Sequence, residues 1–255
     1  MTAKRVIFVA LALLLGGGLF AAAACSSANS CSSCEDAVVG IPWSAPDTQT
    51  YELDQNGSQV GTTTLTVERQ GDAFALTQAT KDDKGNSDTS IVNADATTLK
   101  PRSSTRSIVD SSQRTLFETT YESIGTDKCS AGQQVSIKRS VFSPPDNTKP
   151  DSTRQIVKCV PDHAYDTDQS LFLWRTIDFG EGKSVTYQTM ATGDAHLVTL
   201  TVVGKEQLTV PAGTFETWKV EIASERSRQN AWFTTTPDHR LVQYVNNQGQ
   251  SFVLQ

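Results

Sequence analysis

Histidine is scarce in this chain of 255 residues, and the sequence patterns of several enzyme classes are absent. The three histidines, His163, His196 and His239, do not have the spacing of a zinc half-site. The chain also lacks a G-x-S-x-G nucleophile turn and a glycine-rich phosphate loop. The sequence therefore predicts no catalytic residue, no bound metal and no cofactor, and we expect a protein that is not an enzyme.

Basic residues are fewer than acidic ones, with 22 Lys and Arg against 28 Asp and Glu. Nucleic-acid binding needs a basic face, so this balance argues against a nucleic-acid partner. The sequence also contains no polybasic segment of the kind that binds anionic lipid headgroups.

The N-terminus has the layout of an export signal. A short basic region precedes an apolar run over residues 6–20, which is shorter than the ~20 residues of a membrane span. Residues 22–25, Ala-Ala-Ala-Cys, resemble a bacterial lipobox in which alanine replaces the usual leucine. We therefore expect residues 1–24 to be a lipoprotein signal peptide. Lipid on Cys25 would then anchor the exported chain to the cell membrane or outer membrane. A retained membrane span and cleavage to a free secreted protein are the alternatives.

The four other cysteines, Cys31, Cys34, Cys129 and Cys159, are candidates for disulfides, because an exported chain folds in an oxidising compartment. Proximity in sequence favours the pairs Cys31–Cys34 and Cys129–Cys159, although three pairings are possible. The first pair also has the C-x-x-C spacing of redox and zinc sites. Its serine-rich surroundings and the absence of a second half-site favour a disulfide instead.

The remainder of the chain predicts one mainly β domain. Residues 25–48 are rich in serine and contain prolines, which indicates a tether. From residue 49 to residue 255, segments rich in Thr and Val are separated by turn residues, among which Asn56-Gly57 is a strong hairpin signal. The pattern predicts a curved antiparallel sheet or an open (half) β-barrel.

One segment has the pattern of a short helix. Residues 169–177 place apolar side chains at near-helical spacing after Asp166 and Asp168, which are residue types that cap helices. A buried strand is the alternative. With Asp162 and His163, these aspartates form the densest polar cluster of the sequence. Capping is favoured over cation binding, because the ordered ligand spacing of a calcium loop is missing.

Three segments resemble a bacterial family of exported β domains of unknown function. The segment LTVPAGTFETWKVE, residues 208–221, carries a V-P-A-G-T-F motif, and residues 168–187 and 231–244 are similar to the family's neighbouring segments. The resemblance implies a curved antiparallel sheet, similar in outline to the open barrels of periplasmic lipoprotein carriers. The resemblance implies no catalytic residues. Turn chemistry explains the motif, because proline sets φ and glycine accepts positive φ.

The tryptophans Trp174, Trp218 and Trp232 lie on different segments and have two interpretations. They pack in the core, or they line an apolar groove on a concave sheet. The sequence thus predicts a membrane-anchored binding module for a hydrophobic small molecule or an envelope protein. A structural or assembly lipoprotein is the alternative, and an uncharacterised hydrolase is a third.

Overall fold

The computed structural model describes residues 34–122, 132–161, 164–191, 194–225 and 227–255. Its strands are β1 (Asp47–Gln55), β2 (Ser58–Gln70), β3 (Ala73–Asp82), β4 (Ser87–Asp95), β5 (Pro101–Val109), β6 (Arg114–Glu122), β7 (Gln133–Phe142), β8 (Ser152–Val160), β9 (Tyr165–Asp166), β10 (Ser184–Ala191), β11 (Asp194–Val210), β12 (Gly213–Ser224), β13 (Arg228–Thr234), β14 (Leu241–Val245) and β15 (Gln250–Leu254). The helix α1 (Ser170–Leu173) lies between two 3₁₀ turns, Thr167–Gln169 and Trp174–Thr176. The prediction of a mainly β fold with one short helix is confirmed.

The strands form one sheet in the order β8-β7-β6-β5-β4-β3-β2-β1-β15-β14-β13-β12-β11-β10-β9. Strands that are consecutive in the chain pair antiparallel from β1 to β8 and from β10 to β15. The pairing of β1 with β15 joins these two runs into one sheet. The short β9 pairs parallel with β10. Because β8 and β9 end the order, the sheet is not closed into a barrel. The Asn56-Gly57 turn between β1 and β2 has φ angles of 53° and 79°, as the hairpin prediction requires.

The sheet curls so that its two ends approach each other. Val135 and Ile137 of β7 and Val160 of β8 pack with Ala164 and with Met190 of β10. The helical segment, residues 167–176, lies inside the curve, where all four residues of α1 are buried. This explains its apolar pattern, since a helix that is surrounded by sheet buries most of its circumference.

The start of the described chain packs against the sheet, although the sequence places residues 34–46 in the tether. Ala37 and Trp43 are buried in the main core. The backbone N–H groups of Glu35 and Val39 donate to the carbonyl oxygens of Thr186 and Thr176, both at 2.9 Å. Burial of these apolar side chains fixes the segment against the sheet. Within the described ranges, no helix is both long and apolar enough to span a bilayer.

Candidate functional site: the concave face of strands β5 to β8

The register of β5, β6, β7 and β8 places four side chains in one row across the sheet. Arg106 is opposite Phe117, Phe117 is opposite Arg139, and Arg139 is opposite Arg154. Directly paired residues project from the same face of a sheet. Phe117 packs on the cluster that joins the two ends of the sheet, so this face is the concave one.

Apolar side chains lie on both sides of this arginine row. Ile108 and Val141 belong to the row on one side, and Ile137 and Ile156 to the row on the other. Ile108, Val141 and Ile156 are only half-buried. On β4, by contrast, the residues of the concave face are all buried. The β5–β8 end of the concave face therefore remains partly open, while the helical segment fills the rest.

Arg106 is held by two aspartates from other parts of the chain. Its Nε and Nη2 atoms donate to the two carboxylate oxygens of Asp88 on β4 at 3.0 and 2.7 Å. Its Nη1 atom donates to Asp168 at 3.1 Å. A forked contact of this kind is among the stronger hydrogen-bonded pairs in proteins. The network ties the helical segment to β4 and β5, with Arg106 only 13% exposed.

Two carboxyl groups of this network are hard to ionise. Burial raises the pKa of Asp168 to about 7, although the nearby Arg106 opposes the rise. Burial also raises the pKa of Asp166, which accepts a hydrogen bond from the Tyr121 hydroxyl at 2.7 Å. The pKa of the Tyr121 phenol lies well above its usual value, mainly because the group is buried. Asp168 therefore changes its proton occupancy near neutral pH.

Asp166 has the capping role that the sequence predicts, because its carboxylate accepts from the Asp168 backbone N–H at 2.9 Å. Asp162 and His163 lie outside the described residues. Among the residues that the structure does describe, no group of three or more His, Cys, Asp or Glu side chains is placed to hold a metal ion.

The three tryptophans do not share one surface. Trp174 is fully buried inside the curve, where its Nε1 atom donates to the Tyr187 hydroxyl at 2.7 Å. Trp218 is opposite Phe233 and is partly buried against the main core. Trp232 is one position out of phase with Phe233, so it projects from the opposite face of the sheet.

A second concave surface, the turn groove, lies at the V-P-A-G-T-F turn. It encloses about 760 Å³ between Pro42, residues 214–216, residues 234–238 and Arg240. Buried Arg175 fixes one wall, because it donates to the carbonyl oxygens of Asp238 and His239 at 2.9 and 3.2 Å.

The described residues include two of the five cysteines, and the sulfurs of Cys34 and Cys159 are both disulfide-bonded. Cys25, Cys31 and Cys129 lie outside the described residues. The pairing Cys31–Cys34 and Cys129–Cys159 and the lipid on Cys25 therefore stay predictions.

Sequence reasoning missed the concave site. Asp88, Arg106 and Arg139 are ordinary charged residues in polar strands when they are read along the chain. The available signal was Arg106, which lies on the same face of β5 as Ser104 and Ile108. That signal has meaning only once the register of four strands is known.

A family model described as a protein of unknown function, DUF3108, matches residues 50–248. No curated protein matches this chain closely enough to count as a relative. Among solved structures, the chain is similar to a beta-barrel-like protein of the domain of unknown function DUF1849 from Brucella abortus. The two share 10% sequence identity with a TM-score of 0.37, over 82% of this chain and 95% of that chain. Because the family model covers most of the domain, this chain belongs to the DUF3108 family of proteins of unknown function.

Proposed function

We propose that this chain is a lipid-anchored, non-enzymatic binding module of the bacterial envelope, and that it takes a hydrophobic ligand on the concave face of β5–β8. The lipobox-like sequence at Cys25 supports the anchor. One structural observation supports the binding role: Ile108, Phe117, Val141 and Ile156 remain half-buried on a concave surface. Apolar side chains on a curved, partly open face are typical of a ligand site.

A charge placed on this face is expected to prevent ligand binding. Ile156→Asp in the mature chain should lower the amount of lipid retained from a native lipid extract by about tenfold, because the carboxylate needs water where the ligand excludes it. Bound lipid is extracted from the repurified protein and measured by mass spectrometry.

Val157→Asp is the matched control. Val157 is the next residue of β8, is 42% exposed and projects from the opposite face. Both variants should keep the far-ultraviolet circular dichroism of the wild type. Equal lipid retention by the two folded variants, or no retained lipid in the wild type, would contradict the ligand site.

The anchor has its own test. Cys25→Ala is expected to abolish labelling of the chain with radioactive palmitate, because the thioether-linked lipid needs the Cys25 sulfur. Loss of the lipid chains removes roughly 0.8 kcal/mol of membrane affinity for each buried methylene. Cys31→Ala, six residues away, should keep its label. Labelling of the Cys25→Ala variant would contradict the proposed anchor.

An envelope protein is a second candidate partner, and the turn groove favours it. Its lining combines Pro42, Phe215 and Pro237 with threonine hydroxyls and charged side chains. Such a mixture of apolar and hydrogen-bonding groups suits an extended peptide segment.

A further inference from the structure

We infer that the ligand of the concave face is an anionic amphiphile, with one carboxylate or phosphate head and at least one acyl chain, and that Arg139 binds its head. This inference rests on the proposed function and deepens it, because it names the chemical class of the ligand.

The first argument is the arginine row itself. Arg139 and Arg154 are directly opposite on the concave face of β7 and β8. Their Cβ atoms are therefore only about 5 Å apart, and like charges in this position repel each other. An anion bound at Arg139 would offset the positive charge of that side chain. The planar fork of arginine also matches the oxygens of a carboxylate or phosphate.

The second argument is which arginine is available. Arg106 is occupied by Asp88 and Asp168. Arg154 already takes part in another interaction, so the head contact does not depend on it. Arg139 is exposed and forms no salt bridge with any of the described residues. The binding role is therefore assigned to Arg139.

The third argument is the distribution of charge. Residues 133–160, which form β7, β8 and their loop, carry five Lys and Arg but only two Asp and Glu. The remaining residues from 25 onwards carry 15 basic and 26 acidic side chains. A basic hairpin on an acidic protein attracts an anion to one place and repels it elsewhere.

The apolar side chains decide between an amphiphile and a simple anion. Val141 on one side and Ile156 on the other are each two residues from the arginine row along their strands, a distance of about 7 Å. Inorganic phosphate would leave these side chains in water. An acyl chain beside the head would cover them and bury apolar area.

The test is calorimetric titration of the mature chain carrying Cys25→Ser, which removes the chain's own lipid. Four probes are compared: dodecanoate, dodecyl phosphate, a neutral monododecanoyl glycerol and inorganic phosphate. We expect the two anionic amphiphiles to bind at least about tenfold more tightly than the neutral one, and inorganic phosphate to bind weakly.

Arg139→Gln should lower the affinity for dodecanoate about tenfold and leave the affinity for the neutral amphiphile unchanged. Lys138→Gln is the matched control. It removes the same charge one residue away, but Lys138 pairs with Glu118 on the opposite face, so dodecanoate binding should not change.

The outcomes separate this inference from the function on which it rests. Equal binding of neutral and anionic amphiphiles, unaffected by Arg139→Gln, would overturn the anionic head and leave a hydrophobic ligand site. Tight binding of inorganic phosphate alone would overturn the amphiphile. A failure of all amphiphiles to bind would overturn both the inference and the proposed ligand site. Arg139-dependent binding of a poly-glutamate peptide, with no binding of dodecanoate, would point to an acidic protein partner instead.

Discussion

Replacing Arg106 with methionine is expected to lower the free energy of unfolding by about 3–5 kcal/mol at pH 8, because it leaves two buried aspartates without their cation. Asp88 and Asp168 are only 6% and 16% exposed, so water replaces little of the lost interaction. Guanidinium denaturation, followed by circular dichroism, measures the loss.

Arg102→Met is the control for this variant, since it removes the same group from the same strand. Arg102 pairs with Asp72 and Asp95, but its side chain is 44% exposed. Pairs that are exposed to water contribute little to stability, so the Arg102 variant should unfold almost like the wild type. Equal losses from the two variants would show that the Arg106 network is not stabilising.

The pH dependence of stability provides a second readout of the same network. Burial raises the pKa of folded Asp168 to about 7, whereas an unfolded aspartate titrates near pH 4. Between these values the folded chain holds the extra proton, so this contribution to stability is complete below pH 4 and is lost as the pH rises through 7. The wild type should therefore be more stable at pH 5 than at pH 8, and Asp168→Asn should flatten that slope. For the same reason Arg106→Met should cost less at pH 5, where Asp168 is neutral.

Replacing Trp174 with alanine is the second change with a large expected effect, about 3–5 kcal/mol of unfolding free energy. The side chain is fully buried in the helical segment, and its ring lies 5.9 Å from that of Tyr244. The variant creates a large cavity and removes the hydrogen bond to the buried Tyr187 hydroxyl.

Trp232→Ala tests the same chemical change on the outer face of the sheet. There Lys219 lies over the Trp232 ring at 5.3 Å, and the indole N–H donates to Glu206. Because no core cavity forms, the expected loss is about 1 kcal/mol. Comparable losses from the two variants in denaturant unfolding would contradict a core role for Trp174. Trp174→Phe should recover part of the stability, because it restores most of the buried volume.

Local sequence patterns were sufficient for most of the secondary structure, but they did not predict β5, a polar strand rich in Ser, Thr and Arg. The Asn56-Gly57 turn and the strands that follow it depend on residues that are close together in the sequence. The same is true of the helical segment after Asp166. The packing of residues 34–46 on the sheet could not be predicted in the same way. Trp43 and Ala37 lie in a segment that has neither helix nor strand periodicity, and only the core that they contact makes their burial favourable.

The sequence by itself determined the β class, the short helix, the excess of acidic residues and the lack of enzyme motifs. Each of these is a property of composition or of local periodicity. Only the tertiary structure decided that Asp88 and Asp168 share one arginine, and that Trp174 lies inside the curve of the sheet while Trp232 projects from its outer face. It also decided that Arg106, Phe117, Arg139 and Arg154 form a row. The reason is strand register. A shift of one residue in a strand pairing would move the side chains of that strand to the other face, and register depends on contacts between residues far apart in the chain.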